Sequence, residues 1–98
     1  MIKHIVFWSI AEGAEGRTVA QNAQIIKEGL ERLVGIVDGL RKAEVHLNLN
    51  DDKFNVCLVS EFDSKEQLEA YQTHPEHMKV REFVKKVRTD RAVVDYEV

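Results

Sequence analysis

The chain has 98 residues, 44% of them apolar and 32% charged, with 14 basic side chains against 17 acidic ones and a net charge of −3. That length allows one domain with one core, and the acidic balance gives no electrostatic footprint for DNA or RNA. No apolar run approaches a membrane span, the opening residues read as strand rather than signal peptide, and the single Cys57 suits a reducing setting. A cytoplasmic protein with no membrane or nucleic-acid partner is expected.

Residues 2–10 read as the first strand. Ile2, His4, Val6, Trp8 and Ile10 share one face, while Ile5 and Phe7 share the other, so both faces are largely apolar. Two glycines, Gly13 and Gly16, break the strand. The first helix is predicted from Thr18 to Val34, on an apolar stripe of Val19, Ala23, Ile26, Leu30, Leu33 and Val37, with Gly35 closing it in a left-handed conformation.

A second strand is predicted over Ala43–Leu49. Ala43, Val45, Leu47 and Leu49 alternate with Glu44, His46 and Asn48, and one polar face suits an edge position. Asn50–Lys53 reads as the turn into a third strand, Phe54–Phe62, which again carries apolar residues on both faces. There Cys57 reads as a small buried hydrophobe. Ser64, with Gln67 three residues on, is a capping-box pattern that starts a second helix carrying Leu68 and Tyr71. His74-Pro75 interrupts that helix, and a further piece follows with Val80, Phe83, Val84 and Val87 at i, i+3, i+4 and i+7. The last strand is predicted over Ala92–Glu97.

The order β-α-β-β-α-β implies an α+β fold: a ferredoxin-like four-stranded antiparallel sheet with the helices on one face. Helices on one side leave the other side bare, and large exposed apolar faces are rare on monomers. A homodimer joined sheet face to sheet face, a dimeric α+β barrel, is therefore expected.

The segment from Tyr71 to His77 holds the chemistry-bearing residues. His77 falls in the first turn of a helix, where the dipole disfavours an imidazolium, so it can accept a proton as a general base. Tyr71 can hydrogen-bond an oxygen that gains negative charge. A structural role for both, with Tyr71 as a core aromatic and His74-Pro75 as a cap and kink, is the competing reading. His4, mid-strand, needs a partner if buried, and serves either the core or the polar end of an apolar pocket. His46 is expected in solvent. The spacing of His74, Glu76 and His77 matches neither H-E-x-x-H nor a Cys/His zinc site, so no metal is expected. No phosphate-cradling glycine loop and no Gly-x-Ser-x-Gly occur.

Four segments together resemble the stress-responsive A/B barrel, or Dabb, family over nearly the whole length. They are Met1–Val6, Leu58–Phe62, Ala70–His77 and Asp90–Tyr96. The resemblance implies the ferredoxin-like homodimer with a central barrel. One plant branch of that family is a cofactor-free polyketide cyclase, and the resemblance places its base and partner at His77 and Tyr71 and a pocket histidine at His4. Where that branch has aromatic residues on the first helix, this chain has Ile26 and Leu30, and Trp8 adds bulk on the His4 face. The implied site is a pocket between sheet and helices lined by His4, Val6, Trp8, Ile26, Leu30, Val80 and Val84, for a small apolar or carbonyl-containing ligand. No cofactor is called for. A structural or stress-protective oligomer without catalysis is the alternative, and a cyclase or lyase acting by proton abstraction next to a carbonyl is a further one. A cofactor-free monooxygenase ranks last, because the chain lacks a dense Asn/Trp/His cluster.

Overall fold

The computed structural model describes all residues, Met1–Val98. Strand β1 (Ile2–Ile10) leads through a single 3₁₀ turn (Ala14–Gly16) to helix α1 (Val19–Glu31). Strands β2 (Leu40–Leu47) and β3 (Val56–Phe62), helices α2 (Lys65–Gln72) and α3 (Pro75–Val87), and strand β4 (Arg88–Glu97) follow. The sheet order is β2-β3-β1-β4, antiparallel throughout, which is the ferredoxin-like arrangement. β2 is an edge strand, as its polar face predicts.

Alternation in the two central strands decides where the core sits. Ile2, His4, Val6 and Trp8 on β1, and Val56, Leu58, Ser60 and Phe62 on β3, are all buried, whereas the residues between them are only half-buried. The buried set meets α1 through Ala23, Ile26 and Leu30, α2 through Leu68 and Tyr71, and α3 through Val84 and Val87. The opposite sheet face has no helix over it. It carries Ile5, Phe7, Cys57 and Val59, with Val94 and Tyr96 about half exposed. Cys57 therefore lies half-buried on the uncovered face rather than in the core.

Several boundaries differ from the sequence expectation. α1 ends at Glu31, three residues early, because the chain tightens there: the Leu33 N–H donates to the Leu30 carbonyl (3.1 Å). Leu33 and Val37 still bury, but from the turn that follows, where Gly35 adopts φ +91°. β2 runs from Leu40 to Leu47, not from Ala43 to Leu49, with a bulge between Leu40 and Lys42. Leu47 and Leu49 project beyond the helices and are exposed. β3 begins at Val56 because Phe54 and Asn55 belong to the connection. The Asn55 side chain brackets Ile10, accepting its N–H (2.9 Å) and donating to its carbonyl (3.0 Å). β4 begins at Arg88, four residues before the predicted start, because β1 is long enough to pair with all of it.

The helix starts follow from caps. Thr18 and Gln21 form a reciprocal capping box at α1. At α2 the Ser64 hydroxyl accepts the Gln67 N–H (3.2 Å), and the Gln67 side chain meets that hydroxyl rather than the backbone. His74 caps α3 by accepting the Glu76 N–H at Nδ1 (3.1 Å), and Pro75 occupies the first helical position.

Candidate functional site

The helix break turns His77 inward from the first turn of α3 toward Tyr71, at the end of α2. Their rings are 4.0 Å apart between centroids and tilted by 38°. Tyr71 also packs edge-on against Phe62 (4.9 Å) and His4 (6.3 Å). His77, Tyr71 and His4 form one end of a cavity of about 300 Å³ between the sheet and the helices. Val6, Trp8 and Leu58 supply the sheet wall, and Leu30, Val80 and Val84 the helix wall.

Of the residues singled out from the sequence, His4, Val6, Trp8, Leu30, Tyr71, His77, Val80 and Val84 all line this cavity. Ile26 does not. It is fully buried in the core, one helical turn before Leu30 on the same stripe, and is a packing residue. Trp8 is buried as part of the wall and leaves the space open. His46 is exposed, beside Glu44 (3.2 Å).

Each polar side chain at the cavity has a distinct electrostatic state. Burial is the main cause holding the His77 imidazole down at about 4, below its ordinary 6.5. The Gln72 backbone opposes that shift, and the charges of Arg81, His4 and Arg91 add to it. The helix-dipole argument gives the right direction, but desolvation is the larger cause. His77 Nδ1 is buried without any hydrogen-bond partner, and such an atom is costly unless something else occupies the site. Burial pushes the Tyr71 phenol well above its ordinary value, so it stays a protonated donor. His4 is buried and its Nδ1–H donates to the Asp95 carboxylate at 2.5 Å, across the β1–β4 register pair His4–Asp95. His4 is thus both a satisfied buried histidine and a cavity residue.

Sequence reasoning missed Gln72 and the basic residues Arg81, Lys85, Arg88 and Arg91, which complete the lining, and Asp95, which holds His4 from outside it. Asp95 is signalled only by strand parity opposite His4. The basic residues come from two elements, α3 and β4, and read singly as solvated surface.

The sequence profile described as the stress responsive A/B barrel domain matches residues 2–98. The chain belongs to this family. Among solved structures, the Dabb chain is similar to a dimeric protein of unknown function and ferredoxin-like fold from Bacteroides fragilis. The two share 34% identity over 99% of this chain and 95% of that one, with a TM-score of 0.84. A dimeric ferredoxin-like protein of unknown function from Jannaschia is 23% identical over 99% of this chain and 98% of that one, at a TM-score of 0.81. An antibiotic biosynthesis monooxygenase is 13% identical over 100% and 98% of the two chains, at 0.79, a likeness of fold alone. Among curated proteins, no sequence matches this one.

Proposed function

We propose that this Dabb protein is a homodimer, joined sheet face to sheet face, that binds a small, mostly apolar carbonyl compound in the cavity of each protomer. The observation that carries the binding reading is the cavity itself: apolar side chains from sheet and helices, with the His4, Tyr71 and His77 rings at one end and basic side chains also in its lining. The bare sheet face with Ile5, Phe7, Val59 and Val94, and the dimeric description of the Bacteroides neighbour, support the homodimer.

The same geometry supports cofactor-free proton abstraction next to a carbonyl. Neutral His77 takes the proton from the carbon beside the carbonyl, and the Tyr71 hydroxyl donates a hydrogen bond to the oxygen as it becomes an enolate. His4, held by Asp95, completes the polar end. One observation favours the competing reading of a structural oligomer without turnover: nothing hydrogen-bonds His77 Nδ1 to fix the ring as a base, as triad logic requires.

Titration with octan-2-one, followed by NMR at the Tyr71 and His77 rings, tests the site. Saturable shifts at both rings, lost in Trp8→Ala and altered in Tyr71→Phe, are expected. Absence of shifts at both rings would return the protein to the structural reading.

A further inference from the structure

The cavity lining concentrates positive charge: three arginines without an ion-pair partner, and Lys85, which pairs only with Glu82 (3.7 Å). The sequence has six arginines. Arg32 pairs with Glu76 (3.0 Å), Arg41 pairs with Asp63, and Arg17 lies over the Phe83 ring (6.0 Å). The remaining three, Arg81, Arg88 and Arg91, have no ion-pair partner, and all three line the one cavity, with Lys85 beside them. This occurs on a chain of net charge −3, in which carboxylates outnumber bases.

Local structure brings the charges together. Arg81 and Lys85 are four apart on α3 and so share a face of the helix. On β4, Arg91 pairs with Trp8 and therefore points to the helix side of the sheet. Arg88, three residues earlier, would point to the opposite side in a regular strand. The register shifts between Ser9 and Ile10, so that Ser9 faces Asp90 and Ile10 faces Arg88, which leaves Thr89 as an extra residue. The bulge puts Arg88 on the same side as Arg91. Like charges gathered this way work against one another: burial and the charges of Arg88 and Arg81, only partly opposed by Asp95, hold the Arg91 guanidinium below its ordinary value. A gathering of like charges that a strand irregularity is needed to make fits an anionic group as its counterpart at this place.

We propose that the cavity ligand carries an anionic oxygen group, a carboxylate or phosphate, held at the mouth by Arg81, Arg88 and Arg91, with its apolar body against Trp8, Leu30 and Val84. This rests on the reading of the cavity as a small-molecule site and names the ligand class for it. Guanidinium forks match the geometry of carboxylate and phosphate oxygens and grip either in a bidentate manner. A volume of about 300 Å³ is at the small end for ligand sites, which run to roughly 1,000 Å³, so the body is a short chain or a single ring.

The test compares three probes of one chain length, octanoate, octyl phosphate and octan-1-ol, with inorganic phosphate as a fourth, on wild type, Arg81→Gln and Arg91→Gln. Affinity is read from the Tyr71 and His77 ring shifts. In wild type, octanoate or octyl phosphate binds about tenfold or more tighter than octan-1-ol, and the tighter of the two identifies the headgroup. Each Arg→Gln change brings the anion down toward the alcohol without lowering the melting temperature, because it also relieves repulsion. Equal affinity for anion and alcohol would overturn the anion proposal and leave the cavity reading standing. Inorganic phosphate binding as tightly as octyl phosphate would overturn the role of the apolar body. No ring shift with any probe would remove the proposal and the cavity reading together.

Discussion

The His77 imidazole makes folding stability depend on pH in a way that one substitution isolates. In the folded protein its proton affinity falls from the ordinary 6.5 to about 4, chiefly through burial. The unfolded chain is then the stronger proton binder between those values. The contribution is neutral to stability above about pH 6.5, and stability is lost progressively as pH falls from there toward 4. A pKa unit is worth about 1.4 kcal/mol, so the shift corresponds to at most roughly 3–4 kcal/mol. Partial solvent access to the ring reduces this to roughly 1–2 kcal/mol. Other acid-labile groups, such as the Glu76 carboxylate held at about 2 by Lys79 and Arg32, titrate in any variant and cancel in a difference. The assay is urea unfolding of wild type and His77→Gln at a series of pH values, at one protein concentration so that any linkage of association to folding is held constant. Between about pH 7 and pH 4, wild type loses roughly 1–2 kcal/mol more than His77→Gln. Parallel stability profiles would refute a desolvated, neutral His77.

Three other outcomes follow from the structure. Phe7→Asp places a charge on the bare sheet face, and sedimentation should show the protein shifting from dimer to monomer at concentrations where wild type stays dimeric. Gly39→Ala should cost roughly 1–3 kcal/mol in chemical unfolding, since φ there is +81° and the new Cβ would collide with the end of the Gln67 side chain. Saturating octanoate should raise the His77 pKa followed by ring-proton NMR. His77 is faced by His4 on β1, Tyr71 and the Gln72 backbone on α2, Arg81 on α3 and Arg91 on β4, and an anion offsets the two arginine charges that hold its pKa down.

Much of this architecture is legible in the residue pattern. The two-faced apolar alternation in Ile2–Ile10 and the His74-Pro75 break specify the central strand and the helix interruption, because both express local rules of side-chain parity and backbone chemistry. The ends of β2 and β4 are less legible. Leu47 and Leu49 continue an apolar alternation past the point where helices cover it, and Arg88–Arg91 read as a polar connection although β1 pairs with them. Periodicity places Ile26 and Leu30 on one helical stripe but does not separate the turn that meets the core from the turn that meets the cavity. The cationic mouth is the least legible feature. It depends on an extra residue at Thr89, and a bulge is set by strand pairing rather than by any local signature.

Whether a small molecule binds beside His77 is answered by a high-resolution crystal structure of the protein as purified, without added ligand. The expected result is an open cavity, walled rather than filled by Trp8, with a bound molecule against the His77 ring and its anionic end among Arg81, Arg88 and Arg91. A cavity closed by Trp8 or by the arginine side chains, with His77 Nδ1 bonded to the protein's own backbone, would contradict it.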